Sequence, residues 1–167
     1  MRAQDRREQV LSAAIEEFAE HGYHAGRTAE IARRAGISQP YVYALYPNKR
    51  ELFLECSRRV FGRIGETFVE AAREARQGED LFAHLGDAYV RLLANRTELR
   101  FQLQAYAATA DPEIRARVRD GYMTMFDEVV RLSGQPRDAA ARFFATGMLL
   151  NVAAALELPE DFLPNPD

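Results

Sequence analysis

The chain is poor in the residues that staple, ligate or anchor. It has one cysteine, Cys56, one lysine, Lys49, and no tryptophan. A single cysteine excludes an internal disulfide framework and every zinc pattern built from several thiolates. No charged-then-apolar leader opens the sequence, and no apolar run approaches the roughly 20 residues of a bilayer-spanning helix. The longest such stretch, 143–156, is broken by Thr146, Gly147 and Asn151, so its expected fate is burial against protein. These absences lead to an expectation of a cytoplasmic protein with no membrane partner. No Ser-His-Asp set, paired catalytic carboxylates or phosphate-cradling glycine loop is found, so neither an enzyme nor a cofactor is expected.

The chain is instead rich in helical periodicity. Its 167 residues are 47% hydrophobic, enough for a small domain fused to a larger one. Net charge is −3, but residues 1–50 carry eight basic against six acidic side chains and 51–167 carry fourteen against nineteen. The basic end is the one that could face a polyanion.

Leu11, Ala14, Ile15 and Phe18 keep the i, i+3, i+4, i+7 spacing of an amphipathic helix over 5–20, ending at His21-Gly22, with the acidic residues between them facing out. Thr28 reads as the cap of a short helix over 29–35 that Gly36 ends in a left-handed conformation. Ser38 caps the next helix, and Pro40 fits its first turn, where no N–H is needed. Two short helices joined by a tight turn containing glycine form a helix-turn-helix pattern. Asn48 then caps a long helix over 49–77 whose Leu52, Cys56, Val60, Ile64 and Phe68 recur every four residues. Further helices are expected over 80–94, 97–109, 112–133 and 137–157, and the proline-rich, acidic stretch 158–167 reads as a tail. The fold class is all-α, with domains at 1–48 and 49–157.

A recognition helix in the major groove needs short polar groups at its start and flat hydrogen-bonding groups beyond. Ser38, Gln39, Pro40 and Tyr41 supply that start. Gln39 is the best base reader, since its amide matches the N6/N7 edge of adenine, and Tyr41 can lie on a thymine methyl or reach a phosphate. Val42 and Leu45 are expected to hold this helix to the first one.

From Arg7 to about Phe53 the sequence resembles the DNA-binding domain of the tetracycline-repressor (TetR) family. The likeness is carried by Ala13-Ala14, Phe18, Gly22-Tyr23, Ile31-Ala32, Ala35-Gly36-Ile37-Ser38, Tyr43, Tyr46, Lys49 and Leu52. The resemblance implies a phosphate contact at Tyr43, another at Lys49 with the helix end it starts, and a backbone contact from Arg27 and Thr28. Ala44, where the family often has histidine, and Leu45, often aromatic, depart from the pattern, so no relative's operator sequence transfers. The resemblance also implies a double-stranded DNA operator, a homodimer built on the last two helices, and a body that senses a small effector.

Phe126, Phe143, Phe144, Met148, Leu149, Val152 and Leu156 are the expected dimer interface, and dimerisation would make the operator palindromic. An effector pocket is expected among Phe61, Ile64, Phe68, Phe82, Tyr89, Leu92, Phe101, Tyr106 and Met123, with Gln102, Gln104 and Tyr106 its main polar groups. Plain core packing explains any one of these nine equally well. That list suggests a lipophilic or aromatic ligand, and the resemblance implies a repressor that a small lipophilic ligand releases. The rival reading is a helical ligand-binding or adaptor protein that has lost DNA recognition. An enzyme would have to use Cys56 or the Asp80-His84-Asp87 face. Cys56, however, sits on an apolar stripe where a buried hydrophobe is commoner, and the three residues at a helix start suit a solvated edge better than a metal.

Overall fold

In a computed structural model, residues 3–159 and 162 are described. Eight helices, with no strand among the described residues, follow one another: α1 (Ala3–Ala25), α2 (Thr28–Arg34), α3 (Gln39–Leu45), α4 (Lys49–Glu74), α5 (Leu81–Leu92), α6 (Arg96–Ala107), α7 (Pro112–Ser133) and α8 (Arg137–Leu156). The all-α class is as expected, and most helix ends fall within a few residues of the punctuation read in the sequence. The expected tail, 158–167, lies largely outside the described residues.

The first helix continues to Ala25, but its backbone leaves helical geometry at Gly22, with φ 72° and ψ 178°. That region is essentially closed to residues with a Cβ, so the expected stop at His21-Gly22 is a sharp kink followed by one more turn. Asn48 caps α4 as expected, its side chain accepting from the Glu51 N–H at 2.9 Å. At 1.5 Å per residue α4 spans about 40 Å, running out of the N-terminal lobe into the body. Its stripe of Leu52, Cys56, Val60, Ile64 and Phe68 is buried throughout. Cys56 packs against α1 near the Leu11 carbonyl, and burial pushes its thiol well up, which suits a small core hydrophobe.

The two lobes share a continuous core. Phe18 of α1 packs edge-on to Phe53 of α4 at 5.0 Å, and Phe53 meets Phe101 of α6 at 5.2 Å. The most extensive pairing of helices in the molecule is α1 on α6. Arg50 at the start of α4 pairs with Asp111 at 3.1 Å and Glu113 at 2.7 Å, tying it to the start of α7. Arg63 of α4 pairs with Glu98 of α6 at 2.6 Å.

Two sequence expectations fail here. Glu17, read as outward-facing, is 1% exposed. Gln104, read as a pocket group, lies against Gly22, where a Cβ would stand 2.8 Å from its Oε1.

By length and composition α8 is apolar enough to cross a membrane, and most of it is not buried. Counting only 143–156 made it look too short. Its inward face nonetheless packs on α5 and α7 and carries the buried Asn151.

Candidate nucleic-acid interface and the cavity behind it

The turn between α2 and α3 is closed by backbone bonds from Gly36 N–H to the Arg33 carbonyl (3.2 Å) and from Ile37 N–H to the Ala32 carbonyl (3.0 Å). This is the paired bonding of a Schellman stop, and it needs the left-handed φ of 64° that Gly36 adopts. Ser38 stands at the N-cap of α3 with Pro40 in the first turn, but its hydroxyl makes no capping bond. Thr28 does not cap α2 either; Arg27 occupies that position.

The Thr28 hydroxyl is engaged elsewhere. It accepts from Gln39 Nε2 at 2.8 Å and shares a 2.9 Å hydrogen bond with the Tyr43 hydroxyl. One buried oxygen at the start of α2 thus gathers two of the expected DNA-contacting side chains of α3. Ser38, Gln39, Pro40 and Tyr41 are exposed at the start of α3 and Tyr43 further along it, and Arg27 is exposed at the start of α2. Val42 is buried and Leu45 packs against the core, so they hold α3 down as expected. Lys49 donates to the carbonyls of His24 (3.1 Å) and Gly26 (3.2 Å), over the Tyr23 ring. It therefore braces the loop before α2, and one of its three N–H groups is left for a phosphate.

What sequence reasoning missed is the support under this surface. The buried Glu17 carboxylate accepts from the Arg27 backbone N–H at 3.1 Å and lies 3.3 Å from Arg34 Nη2. Arg34 also pairs with Glu20 at 2.6 Å, which lowers the Glu20 carboxyl below its usual range. Helix α2 is thereby pinned to α1 at both ends, with an acid at its N-terminal end in the sense that the helix dipole favours. Glu17, Glu20 and His21 come close enough to hold a cation. Glu17 Oε1 already accepts from the Arg27 backbone N–H, and Glu20 is paired with Arg34. The signal was Glu16-Glu17 and Glu20 facing Arg33-Arg34. Of the other acidic and histidine group considered, Asp80 caps α5 by accepting from the N–H groups of Phe82 (2.9 Å) and Ala83 (3.3 Å).

Behind this lobe the body holds a cavity of about 880 Å³ between α4, α5, α6, α7 and α8. Ile64, Phe68, Phe82, Tyr89 and Tyr106 meet on its wall. Phe61 instead faces a groove of about 600 Å³ between α4 and α7, and Met123 a shallower hollow. Phe101 and Leu92 line none of these cavities: Phe101 is wholly buried against Phe53, and Leu92 is half-buried against the core. Phe143, Phe144 and Met148, expected between subunits, turn into their own chain. Phe143 stacks on Phe82 at 5.4 Å, Phe144 sits between Tyr122 (5.4 Å) and Phe126 (5.2 Å), and all three line the cavity. The outer side of α8 keeps Leu149, Val152 and Leu156, the last 66% exposed. Half-buried Phe126 on α7 is covered by Arg137.

An all-helical body behind a helix-turn-helix whose exposed face is polar and aromatic is the arrangement expected of a DNA-binding regulator. Residues 10–56 match the family described as bacterial regulatory proteins, tetR family. Over that stretch the chain resembles the family, and its curated relatives are named as regulators of transcription. It is 25% identical over 125 residues to the fatty acid metabolism regulator protein of Bacillus subtilis, covering 73% of this chain and 64% of that one. It is 28% identical over 149 residues to the HTH-type transcriptional activator FasR of Mycolicibacterium smegmatis, covering 87% and 68%. The chain thus spans about two thirds of the length of these curated relatives. The fold is shared with the fatty acid degradation regulator FadR from Bacillus halodurans, at TM-score 0.76 and 18% identity over 97% of this chain and 89% of that one. It is also shared with Bacillus subtilis FadR in complex with stearoyl-CoA, at TM-score 0.69 and 21% identity over 93% and 88%.

Proposed function

We propose that this protein is a homodimeric repressor that binds a palindromic operator and is released by a lipophilic ligand held in the body cavity. The observation that carries the DNA reading is the exposed face of α3, where Gln39 and Tyr43 are preset by Thr28. Gln39 keeps its Oε1 and one amide hydrogen for a base edge, while Tyr41 and Tyr43 flank it with exposed rings and hydroxyls. Tyr43, Arg27 and the remaining Lys49 N–H are the phosphate contacts that fix register.

One such helix reads few base pairs, and two held about 34 Å apart read both halves of a palindrome. The outer apolar side of α8, with Leu149, Val152 and Leu156, is the surface proposed to meet a second copy. The same reading has the protein act in the cytoplasm, where chromosomal DNA lies. The relatives named for fatty acid metabolism, and the neighbour bound to stearoyl-CoA, favour a ligand with an acyl or alkyl chain. The ligand acts by its differential affinity for the body conformation that misplaces the two recognition helices.

Fluorescence anisotropy of the protein on its own upstream DNA, at several salt concentrations, tests this reading. Palindrome-dependent binding is expected, and Gln39→Ala/Tyr43→Ala should abolish it. Weak, sequence-blind binding that is equal in both proteins would overturn it.

A further inference from the structure

The cavity wall includes a row of polar side chains. Tyr89 donates to Asn151 Oδ1 at 2.6 Å and lies 3.4 Å from Gln102 Oε1, and Gln102 Nε2 donates to the Tyr106 hydroxyl at 3.0 Å. Asn151 is 1% exposed and Gln102 4%. Two donors along this row lack a strong acceptor. The Tyr89 proton is used, and the amide oxygens of Asn151 and Gln102 face it. The Tyr106 hydroxyl proton has no acceptor, and Asn151 Nδ2 has only the Met148 sulfur at 3.6 Å, a weak partner. Burial raises both phenols above their ordinary value, so they stay protonated donors at neutral pH.

Charge is absent from this end. The charged residues on the wall are Asp80, Asp87 and Arg142, all exposed at the rim. Arg142 already pairs with Asp138 at 3.1 Å, and Asp80 caps α5. The parts of α4, α6 and α7 that line the cavity contribute no ionised side chain. A carboxylate brought to the polar row would lose its hydration with no cation to replace it, and at the rim it would meet two acids for one committed arginine.

We propose that the polar row binds an uncharged hydrogen-bond acceptor, the carbonyl oxygen of an ester, amide or ketone on a lipophilic body, and discriminates against the corresponding carboxylic acid. This rests on the reading that the cavity is the effector site, and it narrows the ligand class beyond an alkyl or acyl chain.

The test is calorimetric titration of the full chain at neutral pH with methyl decanoate, decanamide and decanoic acid, repeated on Tyr106→Phe. Melting curves would check that the variant is folded. Both neutral compounds are expected to bind at least about tenfold tighter than the acid, and Tyr106→Phe should weaken them by about five- to tenfold while leaving the acid unchanged. Acid binding as tight as the neutral probes, no binding of either neutral probe, or a Tyr106→Phe variant equal to wild type would each overturn the proposal. Operator anisotropy run beside it separates the two readings. Neutral probes that bind in the expected order without moving DNA affinity would uphold the head-group selection and sink ligand-controlled release.

Discussion

Two small networks in this molecule are made of nearly the same side chains. At the surface of the N-terminal lobe, Thr28, Gln39 and Tyr43 are linked through one hydroxyl; inside the body, Asn151, Tyr89, Gln102 and Tyr106 are linked end to end. Both bring a glutamine amide and a tyrosine hydroxyl into one hydrogen-bonded set, and both leave hydrogen-bonding capacity unspent. They differ in burial and in charge nearby. The surface set stands beside Arg27 with the Tyr43 ring in solvent, where a hydrated polyanion can reach it. The inner set lies where no ion is compensated, so only a desolvated neutral group fits. The same chemistry therefore points to a nucleic acid in one place and to an apolar effector in the other.

The comparison can be broken by substitution. The largest effect is expected from Tyr89→Phe, which strips the partner from two buried amide oxygens and should cost about 2 kcal/mol in urea unfolding. A loss below about 0.5 kcal/mol would mean that water or a rearranged amide satisfies those groups. Next comes Glu17→Ala, which leaves the Arg27 N–H without its acceptor and frees one side of Arg34. About 1.5 kcal/mol is expected in the same assay, with operator affinity falling as well, because α2 and Thr28 lose their anchor. Unchanged operator affinity would show that Glu17 supports the fold without positioning the reading surface.

A smaller, graded effect should appear with pH. Burial holds Tyr89, Tyr106 and Tyr122 above the unfolded value of 10.0. Between that value and their folded ones the unfolded chain loses protons that the native chain keeps, so the tyrosine contribution to stability should be constant at neutral pH and decline as pH rises above 10. Melting temperatures across that range check the sign, and Tyr106→Phe should flatten the decline. The smallest stability effect is expected from Tyr43→Phe, under about 0.5 kcal/mol because the hydroxyl is near solvent. Its operator affinity should nonetheless fall several-fold, and that split between stability and binding marks a contact residue.

Much of the N-terminal lobe could be read from sequence because its breaks are local. Gly36, Pro40 and Asn48 act on the backbone within a few residues, so the turn and the start of α4 fall where those residues stand. Ser38 and Thr28 show the limit of that logic. A residue suited to capping was read as a cap, while tertiary neighbours gave the Thr28 hydroxyl better partners across 11 and 15 residues. Glu17 failed for a related reason, since a lone sequence assigns charge to solvent and cannot see Arg27 and Arg34 folding over it. In the body, five of the nine pocket residues gather around one cavity, because large apolar side chains on consecutive helices tend to meet. The direction of Phe143 and Phe144 depended on which side of α8 the α5 and α7 helices took, a choice that a helix apolar on nearly every side does not encode. Asn151 was visible as a break in an apolar run, and its buried role emerged only with Tyr89 beside it.

The broad seam between α1 and α6 bears on how such proteins can be recombined. A reading head grafted from a relative by cutting at residue 48 would arrive with a first helix shaped for another protein's α6. Gly22 would then lose Gln104, and Phe53 would remain in the recipient body without the Phe18 that packs on it. A working chimera must carry the α6 face, with Phe101 and Gln104, along with the helix-turn-helix. The exchangeable unit in this molecule is therefore discontinuous in sequence.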